Sequence, residues 1–549
     1  VTGARRWLAF AALIWAALVV AGLALRPPIP IDETRYLAVA LEMWQRGDLL
    51  VPYRNGEAYH HKPPLLFWLM HLGWAVFGVS EIWARLVAPL FALGSLVATC
   101  VLARRLWPER PDVAAIAPLV LIACVWFGVV ASLTLFDAMV TFFALAGWIG
   151  VVDAWQGRAR RGWTIVAVAL GLGILAKGPV QLLHLAPAAL LAPLWMTRAR
   201  PASWARWYGG FALAVLGGAA IALAWAVPAA IAGGEEFARK IFLGQHTGRV
   251  VKAFSHSRPF WWYLPVLAGL LFPFLWWFAP WRGLRAARGL WSEPGLRLAA
   301  LTALAVLAAF SAISGKQPHY VLPEFALFAL IVARLADREG FEDRRLDRLV
   351  PALGLLAGGV AMMALPFVVQ RLAAGRSGIG VPLWFGILDE VVGLALVAFA
   401  LWLWRDRPRS APARAATISA GAGAMLLAVN VGFLALAPAY DTGPVSRVLA
   451  DLQAQGRPIG ITSDYESEFH FAARLSKPFA DEIGAAKTIP WALANPDGVV
   501  IHTYARRAAL PSDFPQPLFL GPFRGRLLAI WPSETIAGPR GAEILNPPR

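Results

Sequence analysis

The chain alternates long apolar runs with short polar links. Each run extends over about 18 to 25 residues, enough for a helix to cross a roughly 30 Å hydrocarbon core. Thirteen spans are predicted, centred near Trp15, Phe91, Leu121, Phe143, Ala169, Pro187, Gly217, Gly269, Val306, Leu327, Gly359, Leu394 and Ala428. The run Leu65–Phe77 is shorter and bounded by Pro63-Pro64 and Gly78, so it predicts a re-entrant or interfacial helix. After about Tyr440 the pattern changes. Residues 443–455 are amphipathic at helical spacing, and 458–462, 498–503 and 526–531 are short β-type runs between Pro, Gly and Asp turns. The expected fold is a polytopic α-helical membrane protein of about 13 transmembrane helices in residues 1–438, with amphipathic juxtamembrane helices in its first outer loop. A small soluble α/β domain follows in 439–549. No internal repeat is evident.

Composition agrees with this pattern. Of the 549 residues 58% are hydrophobic and 15% charged, and the mean hydropathy is +0.59; soluble domains are nearer one quarter charged. The 26 Trp suit a chain with many membrane interfaces. A net charge of +17 could suggest nucleic acid, but its placement argues against that. Arginines cluster in alternate short links, as at Arg104-Arg105, Arg158 to Arg161, Arg282 to Arg288, Arg344 to Arg348 and Arg405 to Arg409, which marks the cytoplasmic side. The large segments 26–80 and 232–260, the 314–319 turn and everything after 440 then lie outside. The apolar run 7–25 after Arg5-Arg6 resembles a signal peptide but reads as an uncleaved first span with its N-terminus inside. Cys100 and Cys124 fall within spans and form no disulfide framework or redox motif.

The candidate chemistry collects on the outer side. Asp32 and Glu33 open the first loop, with Arg35 and Tyr36 three and four residues beyond Asp32, on its side of a helix. Asp32 could cap that helix, whose apolar face should lie in the interface, or serve catalysis as an acid kept ionised beside a cation. Tyr59-His60-His61-Lys62-Pro63-Pro64 places Lys62 at headgroup level beside an apolar helix, suited either to a lipid phosphate or to snorkelling. Asp137 sits near the outer end of a span, Lys177 at a break between spans, and Lys316 in the polar hairpin Ser314 to Tyr320. Several basic groups on the side where topology disfavours them suggest an anionic ligand. The 232–260 loop adds Arg249 and His256 and closes on Phe260-Trp261-Trp262-Tyr263, which serves anchoring as well as phosphate binding. His61 and His256 are candidate metal ligands without a tight metal spacing, so a divalent ion is possible while no cofactor is required.

Taken together, the Asp32-Glu33 pair, Tyr59 to Leu65, Ala176-Lys177-Gly178-Pro179 and Ser314 to Tyr320 resemble the GT-C glycosyltransferases of the protein O-mannosyltransferase-like group. Within that group the chain is similar to the bacterial lipid A aminoarabinosyltransferases. The resemblance implies an inverting transfer of 4-amino-4-deoxy-L-arabinose from undecaprenyl phosphate to a lipid A phosphate at the periplasmic face of the inner membrane. It implies a catalytic role for Asp32, with Asp137 as second acid and Glu33 in the paired motif. Lys62, Arg35, Tyr59, Arg249 and Tyr320 would hold the donor, with Lys177 and Lys316 beside them. The partners would be the polyprenyl-linked donor, a phosphorylated lipid acceptor and membrane lipids, for a monomeric protein. A protein O-mannosyltransferase is the alternative within the class. A lipid or sugar transporter is the alternative outside it, and would need charges deep within several spans, whereas 210–232 and 350–369 carry none.

Overall fold

The computed structural model describes all residues except 1, 198, 245–256, 283, 285–288, 374–382, 482, 505–509, 512 and 548–549. The chain is a polytopic helical membrane protein. Among the described residues nine helices are long and apolar enough to cross a bilayer, from Gly3–Leu25 to Ala411–Ala435. All thirteen predicted centres fall within helices. Those at Leu121, Pro187, Gly269 and Leu327 lie in the shorter helices Pro111–Ala123, Val180–Leu190, Tyr263–Leu270 and Glu324–Ala336. The first is continued after a break at Cys124 by Val125–Val130.

Helix contacts are close where side chains are small. A Cβ at Gly150 would stand 2.6 Å from the Gly162 carbonyl, so Phe136–Trp155 and Ala159–Lys177 pack backbone to backbone. The helix ends at the arginine-rich links are tied by arginine–carboxylate pairs. Arg105 and Arg158 converge on the fully buried Asp153, Arg334 pairs with Glu293 at 2.5 Å, Arg282 with Asp347 and Arg414 with Asp343 at 2.7 Å. The arginine clusters thus work as structure, each carboxylate satisfying cations that would otherwise be stranded near hydrocarbon.

The first loop, predicted to lie outside, is folded. Helix Asp32–Arg46 stops at Gly47, whose φ of 68° needs a residue without a Cβ. A hairpin follows, β1 (Tyr53–Arg54) against β2 (Glu57–Ala58), turning through Asn55 and Gly56 at φ 52° and 88°. Leu65–Phe77 is a separate 13-residue helix, as its bounding prolines and glycine predict.

The C-terminal domain carries a four-stranded sheet in the order β3 (Ile459–Ile461), β4 (Val499–Tyr504), β6 (Arg526–Pro532), β5 (Phe519–Phe523). The β3–β4 pair is parallel and the other two are antiparallel. Alternate residues face two cores. Ile459, Val499, Ile501 and Ile530 pack on Val445 and Leu449 of the predicted amphipathic helix, Gly443–Ala454, while Val500, Ala529 and Trp531 pack on Ile536 and Ile544.

This domain sits on the first outer loop. Asn55 exchanges two hydrogen bonds with the Phe479 backbone, at 2.9 and 2.8 Å. Phe471 stacks on Trp74 and joins the core formed by Tyr36, Leu37, Phe67 and Met70. The Asp32–Arg46 helix is therefore covered by protein, not laid free in the interface as its apolar face suggested: residues Tyr36 to Leu41 are all buried.

Candidate active site

Asp32 does not cap its helix; the N-cap position is Ile31 and no side chain caps it. Its Oδ1 instead accepts hydrogen bonds from Arg35 Nη2 at 2.5 Å and from the Tyr36 hydroxyl at 3.1 Å, and its side chain remains half exposed. The i+3 and i+4 spacing thus makes a carboxylate held from one side. Arg35 also donates from Nη1 to Glu466 of the C-terminal domain at 3.0 Å, and Arg54 donates to the same oxygen. Burial alone would lower the Arg35 pKa, but nearby Tyr59, Tyr36, Glu466 and Asp32 outweigh it and hold the guanidinium charged.

Glu33 turns the opposite way. Burial would raise its pKa, yet Arg26, Arg85 and two backbone N–H groups hold it below the ordinary range. Its Oε2 accepts from Arg26 Nη1 at 2.5 Å and from the Ile29 N–H at 3.0 Å, and its Oε1 from the Thr134 N–H at 2.8 Å. Glu33 thus pins the start of the first loop to the turn just before Phe136 and Asp137. The geometry makes it a brace, with no open side toward Asp32.

Through Phe136 the two acids are neighbours. The Tyr36 ring meets the Phe136 ring edge-on at 4.8 Å, and Lys62 Nζ stands 5.8 Å from the Phe136 centroid. Asp137 is buried and accepts from Lys177 Nζ at 2.5 Å. Lys177 in turn lies 5.2 Å from the Tyr320 ring. His319 stands within electrostatic reach of Asp137, Lys177, Lys62 and Asp32; desolvation pulls its pKa down to about 4, so it is neutral near pH 7. Tyr59 is buried, and desolvation pushes its phenol up to about 12.

The fold therefore brings Asp32, Arg35, Tyr59, Lys62, Asp137, Lys177 and Tyr320 to one place, although they come from five separate stretches. Lys316 takes a different position. It is buried, and its Nζ donates to the carbonyls of Ile313 at 2.5 Å and Arg258 at 3.1 Å, closing the turn that carries His319 and Tyr320. Arg249 and His256 lie outside the described residues. His61 packs against His60 and Tyr59. Among the described residues no group of three or more His, Cys, Asp or Glu side chains is placed to hold a metal ion. Sequence reasoning passed over Glu466 and Arg54. The Asn55-Gly56 turn signal could have found the hairpin that carries Arg54, but nothing near Glu466 marks it.

The arrangement is a half-open carboxylate beside a cluster of cations and aromatic rings. It suits a phosphate-bearing ligand.

Comparison with known proteins agrees with this chemistry. Residues 61–231 match the dolichyl-phosphate-mannose-protein mannosyltransferase family. The chain is 35% identical over 350 residues to an undecaprenyl phosphate-alpha-4-amino-4-deoxy-L-arabinose arabinosyl transferase of Pseudomonas paraeruginosa, covering 61% of this chain. The match spans 60% of that relative's length. To the arabinosyl transferase 1 of Pseudomonas fluorescens it is 28% identical over 480 residues, 86% of this chain and 81% of that one. The fold is shared with the crystal structure of ArnT from Cupriavidus metallidurans bound to undecaprenyl phosphate, at a TM-score of 0.75, 20% identity and coverage of 96% and 98%.

Proposed function

The chain belongs to the protein mannosyltransferase-like group of GT-C glycosyltransferases, and from that premise we propose that it transfers 4-amino-4-deoxy-L-arabinose from undecaprenyl phosphate to a lipid A phosphate. The observation that carries this reading is that Lys177 pairs with Asp137 beside Tyr320 while Lys62 stands over Phe136, whose ring meets Tyr36, the hydrogen-bond partner of Asp32. Cations gathered beside a half-open acid fit a phosphate leaving group next to a carbon that becomes positive.

In a single inverting displacement the C1–O bond to the polyprenyl phosphate breaks as the acceptor oxygen bonds to C1 from the opposite face. The departing phosphate gains a negative charge, which Lys62 and Lys177 stabilise more in the transition state than in the bound donor. Asp32 faces the sugar, offsets its developing oxocarbenium charge and orients the acceptor. A phosphate acceptor is already ionised and needs no strong base. A Ser or Thr hydroxyl, the acceptor of a protein O-mannosyltransferase, would require Asp32 to take its proton. Arg35 and Tyr36 fix Asp32, and Glu33 fixes the loop.

Thirteen crossings complete this reading. Lys62 in the first outer loop meets Phe136, so that helix starts outside, and Asp153 near its far end meets the inner Arg105 and Arg158. The broken helix Pro111–Val130 must then cross from the Arg104-Arg105 side. The short helices 263–282 and 324–336 likewise lead to inner pairs, and 180–195 ends where Arg297 donates to the Leu194 carbonyl. The site and the C-terminal domain would face the periplasm, with the chain in the inner membrane. Mass spectrometry of lipid A from cells with and without the gene tests the function; an unchanged content of phosphate-linked aminopentose would refute it.

A further inference from the structure

Two carboxylates from two parts of the chain hold Arg35, and they are more than a fastening between domains. Arg35 uses Nη2 on Asp32 and Nη1 on Glu466, while Arg54 donates to the same Glu466 oxygen. The Arg35 and Tyr36 bonds to Asp32 both fall on Oδ1. Asp32, Arg35, Glu466 and Arg54 thus form a chain of two acids and two cations, with Arg35 and Glu466 both more than four-fifths buried. An arginine facing one carboxylate prefers the two-toothed arrangement that occupies both oxygens. Here Glu466 holds the second nitrogen away.

We propose that Glu466 is a positioning residue for transfer: by sharing Arg35 it keeps the guanidinium one-toothed on Asp32, so that Asp32 stays turned toward the sugar and acceptor. The inference rests on the glycosyltransferase reading above. It makes the C-terminal domain part of the catalytic apparatus, since that domain supplies the carboxylate. Without Glu466 two arginines would face one acid. Arg35 would close onto both oxygens of Asp32, and the local charge would become more positive by one. The consequence is a split: slower turnover together with equal or tighter binding of an anionic donor.

The experiment uses the full-length protein in lipid nanodiscs with undecaprenyl-phosphate-linked aminoarabinose and lipid A. Glu466→Gln is expected to lower kcat by about 10- to 100-fold, the range for small misplacements of a reacting group, with the donor KM unchanged or reduced. Glu466→Asp, which keeps the charge, should recover part of kcat. Asn55→Gly removes the two hydrogen bonds to Phe479, tolerates the positive φ at that position, and controls for docking alone. It should lower the melting temperature and leave kcat and KM in place. The proposal is overturned if Glu466→Gln retains kcat within twofold, or if Asn55→Gly reproduces the same kinetic change. A wild-type protein with no transfer refutes the glycosyltransferase reading instead. Binding of undecaprenyl phosphate alone, followed by tryptophan fluorescence, then decides the present inference: weaker binding by Glu466→Gln overturns it, and equal or tighter binding supports it.

Discussion

Lys177 Nζ and Asp137 Oδ1 meet at 2.5 Å across the helices Phe136–Trp155 and Ala159–Lys177. Both side chains are largely buried, so each charge depends on the other. Removing one partner leaves an uncompensated charge near hydrocarbon and costs about 3–5 kcal/mol. Asp137→Asn should therefore lower the melting temperature sharply, and the double change Asp137→Asn with Lys177→Met should recover much of the loss. Thermal unfolding of the wild type and the two variants in one detergent checks this. A double variant no more stable than the single one would show that the pair is not what matters.

Asp32→Asn keeps shape and hydrogen bonding but removes the charge offered to the sugar. Transfer should fall by about 10²- to 10⁴-fold, the usual contribution of a positioned acid or base. Binding of undecaprenyl phosphate and the melting temperature should stay near wild type, because the carboxylate is half exposed. Single-turnover transfer and ligand-induced tryptophan quenching separate the two effects.

Lys62 has the complementary expectation. Its ammonium stands beside Phe136, where the proposed mechanism has it meet the donor phosphate. Lys62→Met should weaken donor binding by about 10- to 100-fold, as loss of a charged hydrogen bond does, and Lys62→Arg should restore part of it. Titration with undecaprenyl phosphate measures both.

These residues were legible because topology made them unusual. Lys62, Lys177 and Asp137 stand where a membrane protein has few charges, and the spacing from Asp32 to Arg35 and Tyr36 places them on one helical face. Glu33 was legible as part of the same motif, but its direction was not: only folding shows it turned onto Arg26 and Thr134. Lys316 looked like its neighbours for a similar reason, since a backbone-bonded lysine and a ligand-binding one read alike along the chain. Glu466 was invisible. It lies more than four hundred residues from Arg35 in a domain where acids are ordinary surface groups, and its importance comes from docking alone. The same holds for strand β5, whose residues Phe519–Phe523 include a glycine and a proline and carry no strand pattern.

Two pH responses separate the brace from the neutral ring. The Glu33 pKa is held below its unfolded value of about 4.3, so the stability it contributes is fully present above that value and is lost as the pH falls through its folded pKa. His319 behaves differently. Its folded pKa of about 4 lies below the ordinary 6.5, so between those values the unfolded chain binds the extra proton and stability rises with pH, levelling off above 6.5. Wild-type melting temperature should therefore decline between pH 6.5 and 4.5, and His319→Gln should make that decline shallower, the desolvated His470 and His502, also held at about 4, carrying the rest. Glu33→Gln should leave the slope in this window unchanged while lowering the whole curve, because Arg26 loses its partner. Melting curves at half-unit pH steps test both. An equal slope in wild type and His319→Gln would rule out the neutral, desolvated histidine.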